Sequence, residues 1–97
     1  MSDDDSRLLQ LLESQHEFPG EYGFKVICRN QPGTPEGILA ALRAETGLTM
    51  TSEGEDMRSS RAGKYVSFRV VLQARAAADV LAVYSRLRAY SSVIQYF

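Results

Sequence analysis

The chain has 97 residues, a formal net charge of −1 and one cysteine, Cys28. This length suits one domain around one hydrophobic core, and a lone cysteine excludes an intrachain disulfide. Positive and negative residues are spread along the sequence, so no global charge attracts nucleic acid or anionic lipid. No signal peptide is recognisable at the acidic start MSDDDS, and no apolar stretch is long enough to span a bilayer. We expect a cytoplasmic protein with a single domain over residues 1–97.

The N-terminal region predicts a short helix. Three aspartates at residues 3–5 precede a leucine stripe and complement the positive end of a helix dipole. The stripe consists of Leu8, Leu9, Leu11 and Leu12. Phe18-Pro19-Gly20 ends the helix. We predict disorder over residues 1–5, a helix over 6–16 and the core of the domain over 20–97. The stripe is expected to pack on its own domain, and docking to a partner is the alternative.

The next segment predicts a strand followed by a long helix. Residues 22–29 alternate with the period of two that is typical of a strand. One face carries Tyr22, Phe24, Val26 and Cys28, and the other carries Gly23, Lys25, Ile27 and Arg29. After the loop NQPGT, Thr34 is a suitable N-cap and Pro35 a suitable first helical residue. Gly47 is a natural end for this helix. Cys28 is expected to be a small buried hydrophobe.

The second half predicts two strands, a second long helix and a last strand. Residues 48–58 are polar and alternate weakly, which is typical of a blunted edge strand. Ala62-Gly63 turns the chain into the clearest strand, residues 65–72, and a helix over 76–90 and a strand over 93–97 follow. The order β-α-β-β-α-β predicts an α+β, ferredoxin-like plait. Its antiparallel sheet has the strand order 4-1-3-2, with both long helices on one face.

The sequence offers few groups for catalysis or metal binding. His16 is the only histidine, and no second histidine or cysteine lies at a metal-ligand spacing. Glu53, Glu55 and Asp56 form an acidic cluster that could hold a hard cation, but a solvated edge strand explains it better. Glycine-rich phosphate patterns are absent. We predict no enzymatic activity, no metal site and no cofactor.

An enzyme of the same fold is the weakest alternative. Acylphosphatase-like proteins bind phosphate in the loop after the first strand, through an arginine and an asparagine. Arg29, Asn30, Gln31 and Gly33 occupy that loop here, without the glycine-rich cradle expected around them. This comparison rests on fold alone.

Single-stranded RNA binding on the open sheet face is the first alternative, because RNA-recognition domains share the plait. Four residues fit their third-strand signature: Arg61, Tyr65, Val66 and Phe68. Gly63 stands where the first stacking aromatic should be, which leaves Tyr65 as one stacking platform. Lys25, Arg29 and Arg69 could contact phosphates. We favour an ordinary solvated sheet face and expect no nucleic acid partner.

Three segments resemble the YbeD-like family of small uncharacterised bacterial proteins. They are Phe18-Pro19 with Tyr22, Phe24, Lys25 and Val26; Ser59-Ser60 with Gly63, Tyr65 and Ser67; and Tyr84 with Leu87. The resemblance covers residues 8–97. This chain departs from the pattern at Ala62 and Lys64 and by an extra Pro-Gly in its first loop. The resemblance implies a ferredoxin-like fold similar to regulatory ACT domains, with no established activity and no known catalytic residues.

Pro35-Glu36-Gly37-Ile38-Leu39, followed by Gly47-Leu48, resembles the ACT pattern of a glycine at a helix start and another before the second strand. In ACT domains that loop and helix start bind an amino acid at a dimer interface, where backbone N–H groups suit a carboxylate. We predict a regulatory or interaction domain that binds a small ligand, such as an amino acid, in a homodimer. The predicted ligand residues are Asn30, Gln31, Gly33, Glu36 and Gly37. For Gly37 itself, close packing of helix on sheet is the favoured explanation.

A protein partner is the remaining possibility. It would bind near the end of the second hairpin, at a surface predicted to comprise Ser59, Ser60, Arg61, Gly63, Tyr65 and Arg69. This block ends on an expected edge hairpin, which is exposed to pairing with another chain.

Overall fold

Helices and strands follow one another in the order α1-β1-α2-β2-β3-α3-β4. Their bounds are α1 Asp3–Gln15, β1 Gly20–Arg29, α2 Thr34–Thr46, β2 Met50–Ser59, β3 Tyr65–Ala74, α3 Ala77–Ala89 and β4 Val93–Tyr96. The computed structural model describes residues 3–97, except for the side chains of residue 3 and of residues 53–55. Across residues 3–97, no helix is both long and apolar enough to cross a membrane.

The strands form one antiparallel sheet in the order β2-β3-β1-β4. Read from the other edge, this is the order 4-1-3-2, and the predicted ferredoxin-like plait is confirmed. β1 and β3 pair without a shift, from Gly20 opposite Ala74 to Arg29 opposite Tyr65. β2, in contrast, pairs with β3 through three register shifts. Such irregularity is a common way to discourage pairing at a sheet edge.

The alternation of β1 and β3 gives the sheet one buried face and one open face. The buried side chains of these strands are Phe24, Val26, Cys28, Val66, Phe68, Val70, Leu72 and Ala74. α2 and α3 cover this face with buried residues that include Leu42, Val80, Val83 and Leu87. The opposite face of the sheet exposes Lys25, Tyr65 and Arg69. The single core therefore lies between the sheet and the two long helices.

The two ends of α2 are set by glycines in left-handed conformations. The predicted N-cap, Thr34, is wrong by one position, because the cap is Gly33 with a φ of 77° and no side chain caps the helix. A left-handed residue suits glycine, which has no Cβ to clash with the backbone. The predicted end at Gly47 is confirmed: its φ is 67°, and its N–H donates to the Arg43 carbonyl at 3.0 Å.

α1 packs on its own domain. Leu12 is only 5% exposed, and Leu8 and Leu9 contact the core, whereas Leu11 is 51% exposed. This helix begins at Asp3 and not at the predicted residue 6. Residues 3–5, for which disorder was expected, thus belong to the helix, and the same expectation for residues 1 and 2 lies outside the described residues.

Two neighbouring leucines of α1 test this packing. We expect Leu12→Ala to lower the free energy of unfolding by about 2–5 kcal/mol, because it leaves a cavity in the core. Leu11→Ala makes the same change at an exposed position and should cost less than about 0.5 kcal/mol. Chemical denaturation of both variants gives the comparison. Equally small losses would show that α1 does not pack on the domain.

Candidate functional site

The loop after β1 lies against the turn between β2 and β3. The side-chain amide of Asn30 donates a hydrogen bond to the Gly63 carbonyl at 2.9 Å. The backbone N–H of Asn30 donates to the Lys64 carbonyl, also at 2.9 Å. These bonds hold the first loop against the hairpin. The predicted ligand site and the predicted interaction surface are therefore neighbours.

A depression of about 460 Å³ opens beside this contact. It is lined by Asn30, Gln31, Pro32, Gly33, Pro35, Glu36, Met57, Ser59 and Val66, and we call it the loop depression. Four of the five predicted ligand residues line it, and Gly37 does not. The structure thus brings most of the predicted ligand residues together and adds Met57 and Ser59 from β2.

The first turn of α2 offers a backbone donor next to this depression. Two of its N–H groups are bonded to carbonyls of the loop, Thr34 to Gln31 at 3.1 Å and Gly37 to Gly33 at 2.8 Å. Pro35 has no N–H. Among the described residues, the Glu36 N–H has no backbone acceptor, and Glu36 is one of the residues that line the depression. An amide donor beside a carboxylate suits a ligand that carries both an anionic and a cationic group.

Gly37 is separate from the other predicted ligand residues. It borders a neighbouring hollow together with Ala41 and Tyr90. A Cβ atom built on Gly37 would meet no atom within 4 Å. The expectation that this glycine permits close packing of helix on sheet is therefore wrong. Its N–H, being bonded to Gly33, is also occupied.

The predicted interaction surface divides between three places. Ser59 lines the loop depression. Ser60, Arg61 and Gly63 belong to the hairpin turn, where the Ser60 hydroxyl accepts the Tyr65 N–H at 3.1 Å and Gly63 has a φ of 72°. The other two residues, Tyr65 and Arg69, stand on the open sheet face, where Tyr65 is 41% exposed.

A groove of about 590 Å³ crosses the open sheet face. It is lined by Gly23, Phe24, Lys25, Asp56, Arg58, Phe68, Arg69 and Phe97, and we call it the sheet groove. The sequence suggested Lys25 and Arg69 as cations of this face. It did not suggest Arg58 or Phe97, because their positions depend on how the edge strands pair with the centre of the sheet.

The groups that could perform covalent chemistry are buried or dispersed. Cys28 is buried, and this burial, followed by the negative charge of Glu36, raises the pKa of its thiol and favours the unreactive protonated form. The His16 ring packs edge-on against Tyr22, with 5.0 Å between ring centroids.

No group of three or more potential metal ligands is found in the described part of the chain. Of the acidic cluster, Asp56 is described and exposed, whereas the side chains of Glu53 and Glu55 lie outside the described residues.

The residues suggested by acylphosphatase-like proteins do not share one hollow. Asn30 lines the loop depression, and its side-chain N–H is bonded to Gly63. Arg29 is exposed at the end of β1, in register with Tyr65, and does not line that depression. A phosphate site built from these two side chains receives no support from their arrangement.

Fold and hollows together define a ferredoxin-like α+β domain with a polar depression at one end of the sheet and a cationic groove on its open face. The chain belongs to the family described as "Protein of unknown function (DUF493)", whose model matches residues 13–97. No activity comes with that description, and the name YbeD-like is not part of it. No curated protein matches the sequence.

One solved structure with a similar fold is a formyltetrahydrofolate deformylase from Pseudomonas putida KT2440. It aligns with a TM-score of 0.54 and 15% sequence identity, over 80% of this chain and 28% of that chain. The chain therefore spans less than a third of the length of the deformylase. At this identity the similarity concerns the fold alone.

Two glycines beside the loop depression test the local geometry. Gly37→Ala should raise the free energy of unfolding by up to about 1 kcal/mol, because alanine is the better helix former and its methyl group meets no atom. Gly33→Ala should lower it by about 1–2 kcal/mol, because φ there is 77°. Urea denaturation of both variants measures the difference. Destabilisation by Gly37→Ala would reveal a packing contact and contradict the geometry.

Proposed function

We propose that the protein is a non-catalytic regulatory or interaction domain that binds a small zwitterionic ligand, such as an amino acid, in the loop depression. The observation that carries this proposal is the convergence of Asn30, Gln31, Gly33 and Glu36 beside the hairpin. The buried lone thiol suits a reducing compartment, and we propose a cytoplasmic location on that basis.

The polar groups of the loop depression support a ligand with both charges. The Glu36 N–H, at the positive end of the α2 dipole, suits a ligand carboxylate. The Glu36 carboxylate suits an ammonium group. Asn30 donates from its side-chain nitrogen to Gly63, which leaves its Oδ1 atom as a second acceptor for that ammonium. An amino acid presents these two groups on adjacent atoms.

A second chain would complete this site. The loop depression lies at the β2 edge of the sheet, and Met57, which lines it, is 44% exposed. We therefore propose a homodimer that covers Met57 and encloses the ligand. The resemblance of the loop and helix start to ACT domains, which bind an amino acid at a dimer interface, supports the same arrangement.

RNA binding on the open face has less support than this site. Tyr65 is exposed on that face, as the alternative requires, with Arg29 as its register partner. The second platform is missing because Gly63, which stands at the position of the first stacking aromatic, has no ring and lies in the hairpin turn. Loss of RNA binding in Tyr65→Ala would favour this alternative.

A thermal-shift screen against the amino acids and related metabolites tests the proposal. A ligand at one hundred times its dissociation constant adds about 2.7 kcal/mol of stability, which is about ten degrees for a domain of this size. We expect such a shift in the wild type and the loss of most of it in Glu36→Gln, which removes the negative charge that would pair with the ammonium group.

The matched control for this screen is Glu13→Gln. Glu13 is an exposed residue of α1, so its substitution makes the same chemical change away from the loop depression and should keep the full shift. A silent screen, or a shift that survives in Glu36→Gln, would overturn the proposal.

A further inference from the structure

Two cations lie on neighbouring strands at the centre of the sheet groove. Lys25 of β1 is the register partner of Arg69 of β3, and both side chains are exposed. Like charges placed directly opposite on a sheet destabilise it. Arg58 of β2 adds a third cation to the groove. Among the described residues, no carboxylate forms an ion pair with any of the three, although Asp56 lines the same groove.

The Arg69 side chain lies close to the sheet beside Gly23. A Cβ atom built on Gly23 would lie 3.3 Å from Arg69 Nη2 and 3.5 Å from its Nε. The guanidinium therefore lies over the glycine backbone, with its outer side toward solvent. A glycine inside a strand weakens it and often marks a place where a ligand approaches the backbone. Gly23, which weakens the strand, thus lies beside the like-charged pair of Lys25 and Arg69, which also destabilises the sheet.

Phe97 places an aromatic ring at the other side of the groove, and it is 56% exposed. Its N–H donates to the Lys25 carbonyl at 2.9 Å, and the Lys25 N–H donates back to its carbonyl at 3.2 Å. Arg69, Lys25 and Phe97 thus form one row across three neighbouring strands. Two strand spacings separate the ends of this row by about 10 Å.

Charge and shape indicate one class of ligand. Three cations and one carboxylate line the groove among the described residues, and Glu55, the register partner of Arg69 on β2, has a side chain that lies outside them. The excess of cations among the described residues suits a phosphate monoester, which carries a charge of roughly −2 near neutral pH. Arginine binds phosphate through paired, charge-assisted hydrogen bonds. An exposed aromatic ring binds a flat ring by stacking.

We propose that the sheet groove binds a small organic phosphate that also carries an aromatic ring, as a nucleoside monophosphate does. Arg69 and Lys25 bind the phosphate, Arg58 adds positive charge, and Phe97 stacks on the ring. This site shares no lining residue with the loop depression, so it stands independently of the amino acid site.

The test is a titration of the full chain, labelled with ¹⁵N, by adenosine 5′-monophosphate, followed by NMR. We expect the amide signals around Lys25, Arg69 and Phe97 to shift, and the binding to weaken as salt is added. Adenosine or inorganic phosphate alone should bind more weakly than the complete nucleotide. The spectra also show directly whether each variant is folded.

Three variants make the outcome specific. Arg69→Gln should weaken binding about tenfold or more, because it removes the paired donors. Arg88→Gln makes the same change on the exposed side of α3 and should have no effect. Asp56→Asn should tighten binding about threefold by removing a negative charge, and asparagine tolerates the φ of 56° at that position.

Three results would overturn the inference. One is nucleotide binding that is unchanged in Arg69→Gln. Another is a set of signal shifts confined to the loop depression. The third is binding of a single-stranded oligonucleotide with no measurable binding of the mononucleotide, which would assign the groove to nucleic acid.

Discussion

The unbroken pairing of β1 with β3 is the constraint on which both candidate sites depend. Because side chains alternate along both strands, this one register buries Phe24 and Phe68 and sets Lys25 opposite Arg69 on the open face. A slip of one residue would exchange the two faces and disrupt the core and the sheet groove together. At its far end, the same register brings the exit of β1 beside the hairpin turn, where Asn30 reaches the Gly63 carbonyl.

The two sites differ in chemistry because they use different parts of the plait. The loop depression combines a loop, a helix start and an edge strand, so its lining residues supply backbone and amide groups, the Ser59 hydroxyl and one carboxylate, Glu36. The sheet groove uses side chains of the open face, which neither long helix covers. Long cationic side chains can stand there without entering the core. We therefore propose a zwitterion for the depression at one end of the sheet and a dianion for the groove on its face.

The structural features that could be predicted from the sequence are those that depend on residues close together in the chain. The period of two in β1 and β3, and the left-handed Gly47 at the end of α2, are each determined by neighbouring residues. The start of α2 was misplaced because both Gly33 and Thr34 are acceptable caps, and only the backbone angle distinguishes them. Arg58 and Phe97 could not be placed beside Arg69, since the register of an edge strand depends on distant pairing and, in β2, on irregular shifts. The direction in which Gly37 faces could not be predicted either, because it depends on how α2 packs on the sheet.

Light scattering over a concentration series tests most directly whether two chains share the loop depression. We expect a dimer whose fraction rises when a saturating mixture of amino acids is added, because each ligand would contact both chains. Met57→Lys, which places a charge on the exposed β2 edge, should shift the protein toward monomer without unfolding it. A protein that stays monomeric at every concentration, with the amino acids present, would contradict a binding site shared by two chains.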